Sequence, residues 1–400
     1  MPVATTDPVT LLVNGMRYAG WKEISIERGV DRCVSSFNLS VSERWSSTAQ
    51  SGQVGAGQAG GKAWQIQPFD ACTVFIGNDL VLTGHVESYM PAFEARSHGV
   101  RVAGHSLTKD LVDCDIDPPS GQFSGYSVAA IARAVCKLYD INVVVQTDLA
   151  NQVVSNTNLQ RCETAFSFLE RLGRLAGVLL CDDENGNLVL TTAGGTRAAS
   201  TLVQGQNIMA ANATISVAKR FSQYVVKGQA GIGAGSTDIW GGASGIGTSG
   251  NAPTGAVQTQ MRASATDTGV PRYRLHVTLA ESQLSLAQMQ ARANWQRQFA
   301  YGQATKASVK VQGFRQADGS LWQINQIVAV TAPWLEIDDD LLVAKVKFVL
   351  DATSNGHVTE LELGPVAGYT PDPGEVKLKK TKHAGKGRGG GINWSGAGGD

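Results

Sequence analysis

Over the first quarter of the chain the apolar positions fall at every second place. Phe37, Leu39 and Val41 form one such run, Cys72, Val74 and Ile76 another, and Val100 with Val102 a third. That period belongs to strands with one face on a core. Turn residues punctuate the runs: Asn14-Gly15 separates Thr10–Val13 from Met16–Tyr18, the strongest short-range hairpin signal, and Gly77-Asn78-Asp79 stands ahead of Val81 and Val86. The pattern predicts an antiparallel barrel or sandwich over residues 1–105.

The period then lengthens. Ser127 is placed to cap a helix running to Tyr139 with Ile131, Val135 and Leu138 on one face, and a second helix from Glu163 to Ala176 would bury Phe166, Leu169, Leu172 and Leu175. Strands Ile141–Val145 and Val178–Leu180 follow the two helices, the second turning at Asn185-Gly186 into Leu188–Leu190. Alternation returns from Thr201 and includes Tyr224–Lys227. Glu281–Tyr301, free of Gly and Pro and rich in Ala, Gln and Arg, reads as a helix. Its apolar face, Leu286, Met289 and Ala293 beside Trp295 and Phe299, is broad and suits a neighbour better than a deep core. Strands at Ala307–Val311, Trp322–Val330, Leu341–Leu350 and Val358–Leu363 complete the pattern.

The expected class is α+β: two similar antiparallel β-barrel domains with a small α/β domain and a helical insertion. The boundaries place the first barrel at 1–105, the α/β domain at 106–200, and the second barrel at 201–230 with 305–370. A Gly-rich loop and helical insertion occupies 231–304, and a basic Gly-rich flexible tail 371–400. The two β regions share an order of features: Trp64-Gln-Ile66, Asp79-Leu-Val-Leu82, Val86 and Val100–Gly104 in the first, Trp322-Gln-Ile324, Asp340-Leu-Leu-Val343, Val346 and Val358–Gly364 in the second. Two such units per chain, closed around a three-fold axis, would make a ring of six similar units.

Composition narrows the function. At 400 residues the chain exceeds the roughly 250–300 at which one core stops growing. Its formal net charge of zero provides no global field toward nucleic acid or an anionic membrane. The longest apolar runs are too short to span a bilayer, and MPVATTDPVT lacks the basic and apolar regions of a signal peptide, so synthesis and assembly in a cytoplasm are expected. Cys33, Cys72, Cys114, Cys136, Cys162 and Cys181 occur singly, without C-x-x-C pairs, and read as reduced, mostly buried residues. Glycine gathers at 51–61, 228–255 and 385–399, segments that bury little apolar surface and read as loops or tails.

Candidate chemistry is sparse. Gly61-Lys62 has Ala56 and Ala63 where a phosphate loop needs glycine and a hydroxyl, and the glycines of 228–235 precede no clear helix. The six histidines, His85, His98, His105, His276, His357 and His383, lack metalloprotease or nucleophile-elbow spacing. Asp338-Asp339-Asp340 could hold a cation but reads better as a turn before a strand. Glu163 and Asp183 are the carboxylates that a cell-wall hydrolase would use, although no spacing nominates a pair. The tail carries Lys377, Lys379, Lys380, Lys382, Lys386 and Arg388 and ends Ile392-Asn-Trp394. It reads either as a solvated segment touching nucleic acid non-specifically or as an arm docking on a partner through Ile392 and Trp394.

Several segments in order resemble the Mu-type baseplate hub proteins of contractile phages. They are Val102–Cys114, Ile131–Cys136 with Tyr139, Glu163-Thr164 with Leu169–Leu172 and Gly177–Leu179, Arg220–Gly228, Val311–Phe314 and Leu321–Val328. The likeness runs from about residue 9 to 369. His105-Ser-Leu107 departs from the Arg-Asp-Lys type triplet of the family, and residues 46–63 and the tail look like additions. The resemblance implies a non-catalytic structural protein without cofactors, a homotrimer whose paired barrels form a pseudo-six-fold ring with the α/β domains outside. It implies as partners the tail tube, the spike and the baseplate wedge proteins, with the tape measure protein a further candidate, and DNA passing through the bore without specific recognition. Type VI secretion spikes share this architecture at their base. The expected location is the virion, in the tail baseplate. Trp295, Phe299 and Trp322 are the candidate subunit contacts, since their apolar faces exceed what a lone small barrel covers.

Overall fold

The computed structural model describes residues 7–43, 65–94, 97–116, 122–154, 156–160, 162–229, 260–280, 285–350 and 356–372. Strands β1 (Val9–Val13) and β2 (Met16–Tyr18) are joined by Asn14 and Gly15, both at positive φ (51° and 76°), the backbone that a two-residue hairpin requires. β3 (Glu23–Gly29), β4 (Ser36–Glu43), β5 (Ala71–Ile76), β6 (Asp79–Glu94) and β7 (Ser97–Ser106) follow. Alternate residues of β5, Cys72, Val74 and Ile76, are buried, as their period implies.

A second core gathers around α1 (Lys109–Asp113), α2 (Val128–Cys136) and α3 (Ala165–Ala176). With them run β8 (Gln122–Phe123), β9 (Val143–Val145), β10 (Thr157–Asn158), β11 (Leu179–Asp182) and β12 (Leu188–Thr191). The Ser127 hydroxyl accepts from Ala130 N–H (3.2 Å) and that of Thr164 from Ser167 N–H (3.2 Å), satisfying first-turn donors that have no partner within the helix. α2 ends at Cys136 and tightens into a 3₁₀ turn at Lys137–Tyr139, so Leu138 swings off the apolar face and is 60% exposed. On α3 it is Phe168 that enters the core, and Phe166 is only half-buried.

After the short β13 (Thr196–Arg197) and β14 (Leu202–Val203) comes β15 (Ile208–Ile215). β16 (Gln223–Gln229) pairs antiparallel with β17 (Gln260–Thr266) and parallel with β18 (Leu275–Leu279). Residues 223–229 therefore belong to the inserted unit, because both their neighbours lie there, and not to the second β region in which the sequence pattern placed them. Helix α4 (Leu286–Gly302) crosses this small sheet, setting Met289 and Ala293 on Val226, Ala263 and Ala265. It starts with a capping box in which Ser285 and Gln288 satisfy each other's backbone donors. The expected start at Glu281 lies outside the described residues.

β19 (Thr305–Gln312), β20 (Gln326–Ala332), β21 (Ile337–Leu350) and β22 (Val358–Gly364) return to the main sheet, which has fourteen strands among the described residues. Its first half runs β3-β4-β7-β6-β5 and its second β15-β19-β22-β21-β20. In each half the strands therefore lie in the order first, second, fifth, fourth, third along the chain. Each half also carries a register shift at the same place in its long fourth strand, between Val86 and Ser88 and between Val343 and Lys345. This shared bulge makes Glu87 the counterpart of Ala344, and the sequence match of Asp79 with Asp340 is offset from it. Asp338–Asp340 lie inside β21 opposite Thr331–Ala329, and the turn before them is Pro333–Leu335 with Glu336 at φ 55°.

The halves join along one seam, where β21 pairs antiparallel with β3 from Lys345↔Gly29 to Leu350↔Ile24, and they share one apolar core. Away from that seam Arg315, which follows β19, links the second half to the first by bridging to Asp7 and Asp79, each at 2.7 Å. Among the described strands the pairing path closes neither half into a barrel of its own; it ends at β15 and at β2.

Candidate functional site

α4 carries Trp295 and Phe299 on the side away from its small sheet. Their rings stack at 4.9 Å, and Trp295 Nε1 donates to the Thr370 carbonyl at 3.0 Å, so both are half-buried and fixed. They line a cleft of about 590 Å³ whose opposite wall is Phe166, Glu170 and Arg174 of the α/β unit and whose floor includes Tyr369. Burial pushes the Tyr369 hydroxyl up to about 12, which keeps it neutral. The cleft lies where three parts of the fold meet, and its walls mix aromatic and aliphatic side chains with charged ones, among them the pairs Arg174–Glu170 (3.9 Å) and Lys345–Glu362 (3.4 Å).

Trp322 is placed differently. It is 4% exposed and packs in the shared core just ahead of β20, so its apolar surface is covered by its own chain and is no surface contact. Ile392 and Trp394, Trp64 and the Gly61-Lys62 pair lie outside the described residues.

The carboxylates are occupied structurally. Glu163 receives two hydrogen bonds from Arg171 (2.9 and 2.8 Å) and one from Gln160 N–H (2.9 Å). Burial raises its pKa, but these bonds outweigh that and hold it below the usual range. Asp183 accepts from the backbone N–H groups of Asn185 and Asn187 and shapes the β11–β12 turn. Its neighbour Asp182 is 2% exposed and accepts from both the N–H and the hydroxyl of Ser35 (2.9 Å each), locking the α/β unit to the first half. Arg197 grips Asp340 with two hydrogen bonds of 2.8 and 2.7 Å. Among the described residues no group of three His, Cys, Asp or Glu side chains could hold a metal. Cys33, Cys72, Cys136 and Cys181 are buried, Cys114 and Cys162 exposed; burial raises the thiols of Cys72, Cys136 and Cys181 to about 12.

Sequence reasoning missed the two open strand edges. β15 has β19 on one side and no partner among the described strands on the other, and exposes Met209 and Ile215. Among the described strands β6 beyond Val86 pairs only with β7, and it exposes Met90 and, at 83%, Phe93. Natural sheets blunt or cover such edges. The signal was present in Ile208–Ile215, eight residues without a charge or a proline.

Three family models match the chain in order. They are the Mu phage baseplate assembly protein GpP-like N-terminal domain over residues 8–106, the second domain of the baseplate hub protein gp44-like family over 108–192, and the fourth domain of Mu phage baseplate assembly protein GpP over 285–372. The chain is 29% identical over 369 residues to baseplate hub protein gp44 of Escherichia phage Mu, covering 91% of this chain and 89% of that one. It is similar to the crystal structure of the 43 kDa tail protein of prophage MuSo2 from Shewanella oneidensis, with 30% identity, a TM-score of 0.75, and coverage of 90% and 99% of the two chains. A tail protein from Neisseria meningitidis MC58 shares the fold, with 19% identity, a TM-score of 0.71, and coverage of 93% and 100%.

Proposed function

This chain belongs to the Mu-type phage baseplate hub family, and from that premise we propose that it acts as a homotrimeric ring at the centre of a contractile tail. It is a baseplate hub protein of a Mu-like tail. In the proposed assembly each chain contributes two similar barrel-like modules, and three chains contribute six. One face of such a ring matches the six-fold tail tube and the other a three-fold spike, with wedge proteins around it, the tape measure protein a further partner, and DNA crossing the bore without being read. The work is mechanical, with no catalytic step. Obligate interfaces of about 2,000–5,000 Å² would hold the ring closed under the load of contraction. The cleft-lining side of α4 at Trp295 and Phe299 is the proposed partner contact outside the ring, and the tail beyond Gly374 a second, anchored by Ile392 and Trp394. Assembly in the host cytoplasm precedes incorporation into the virion.

One observation carries this reading: the two halves of the sheet have the same strand order and the same bulge. Duplicated modules in one chain are what a three-fold object needs to imitate six-fold symmetry. Light scattering of the purified chain tests it. A mass three times the 42.2 kDa of one chain is expected; a monomer at every concentration would contradict it.

A further inference from the structure

We propose that the two open edges are the two sides of one joint between subunits: β6 beyond its bulge pairs antiparallel with β15 of a neighbouring copy, from Ser88↔Ser216 to Phe93↔Ala211. The proposal deepens the ring reading and rests on it.

The template is inside the chain. β21 is the counterpart of β6 and β3 the counterpart of β15, and β21 already pairs with β3 along the seam. The same contact, made by the first half toward a second half, has no occupant among the described strands of its own chain. Register follows from the pairings themselves. The residues just before the two bulges, Val86 and Val343, face Gly104 and Leu363; these face Phe37 and Ala307, which in turn face Ile26 and Ala213. Ile26 and Ala213 are therefore equivalent, and Pro91 is equivalent to Phe348, four residues past the bulge. Because Phe348 pairs with Ile26, Pro91 falls opposite Ala213 of the neighbour.

Burial agrees with this transfer. Val346 and Phe348 are each 1% exposed and Leu350 packs against the core; their counterparts are Tyr89, Pro91 and Phe93. These three carry apolar surface at positions that are covered in the second half, yet Phe93 is 83% exposed. Ile215, on the strand that would cover them, is 56% exposed. Uncovered edges of this kind template pairing with another chain. One feature differs from the internal seam: Val30 N–H donates to the Ala344 carbonyl at 2.8 Å, which puts Phe348↔Ile26 in the hydrogen-bonded phase, so Pro91 offers only its carbonyl. The joint is head-to-tail, since each copy presents β6 on one side and β15 on the other, and a head-to-tail joint closes into a ring when its rotation allows. Internal and intermolecular seams would then alternate.

Cysteine cross-linking of the full chain tests the register. Met90 and Thr214 are both exposed and fall in the non-hydrogen-bonded phase, where Cα atoms lie about 4.5 Å apart, within disulfide reach. In a background with the exposed thiols removed (Cys114→Ser, Cys162→Ser), oxidation of Met90→Cys/Thr214→Cys gives covalent trimers. Each single cysteine gives none. Met90→Cys/Asn212→Cys, two residues out of register at about 7–8 Å, cross-links at least tenfold less. A trimer by light scattering that fails to cross-link at 90 and 214, or does so within one chain, overturns the joint while leaving the ring reading intact. A monomer by light scattering overturns both.

Discussion

The seam between the halves must be stiff if the duplicated modules are to keep a fixed angle, and Ile26 and Phe348 are the pair that makes it so. They face each other across β3 and β21, with 0% and 1% exposure, and Phe348 meets Phe314 edge to face at 5.3 Å. Truncating Phe348 to alanine removes a fully buried ring whose neighbours are held by strand pairing on both sides, so the cavity collapses poorly. Such a change costs about 3–5 kcal/mol, and Ile26→Ala about 2–5 kcal/mol. For a cooperative unit of this size the larger loss lowers Tm by roughly 10 °C. Because the two residues are directly opposite on adjacent strands of one core, the double variant should cost at least about 0.5 kcal/mol less than the sum of the singles. Differential scanning calorimetry reads the stability, and amide exchange at Ile24–Gly29 reads the seam itself. A Tm within about 2 °C of the parent for Phe348→Ala, with unchanged exchange on β3, would refute the claim that this pair holds the halves together.

Further outcomes follow from other parts of the fold. The Arg220 hydrogen bonds hold the Asp267 carboxyl below the ordinary carboxylate range, so the pair's stabilisation is present above the unfolded pKa of about 3.9 and lost as pH falls through the lower folded value. Asp267→Asn should therefore lower Tm at neutral pH and lose that difference in acid; an equal difference at both pH values would contradict it. Gly104→Ala places a Cβ 2.2 Å from the His85 carbonyl and 2.7 Å from the Phe37 ring, so the backbone must shift at a cost of at least about 2 kcal/mol, visible as a lower denaturant midpoint. Phe299→Asp should leave the trimer mass unchanged but reduce capture of a baseplate partner from assembled tails at least tenfold; loss of the trimer instead would move that side chain into the ring interface.

What local chemistry decides was legible. Asn14-Gly15 gave the hairpin, Ser127 the cap of α2, and period-two alternation the strands of both β regions, because each signal acts within a few residues. The duplication was visible as an order of features, though its residue matching was offset, since a bulge leaves little mark in sequence. Pairing between distant segments was not legible. Residues 223–229 read as a strand of the second β region because nothing nearby reveals that their partners are β17 and β18. Three consecutive aspartates suggested a turn, yet an exposed stretch of β21 accommodates them, with Asp340 paired to Arg197. Trp322 looked like surface because a large aromatic ahead of a strand has no local sign of the core that covers it. The open edges of β6 and β15 escaped for the same reason: a sequence shows a strand, not its missing neighbour.

The central claim is that duplicated sheet modules close around a three-fold axis. Electron microscopy of the purified full chain, averaged down the particle axis without imposed symmetry, tests it most directly. The account predicts an annulus with an open centre, three repeats by mass and six nearly equal lobes along the inner rim. Solid particles, or rings with a different number of copies, would contradict it.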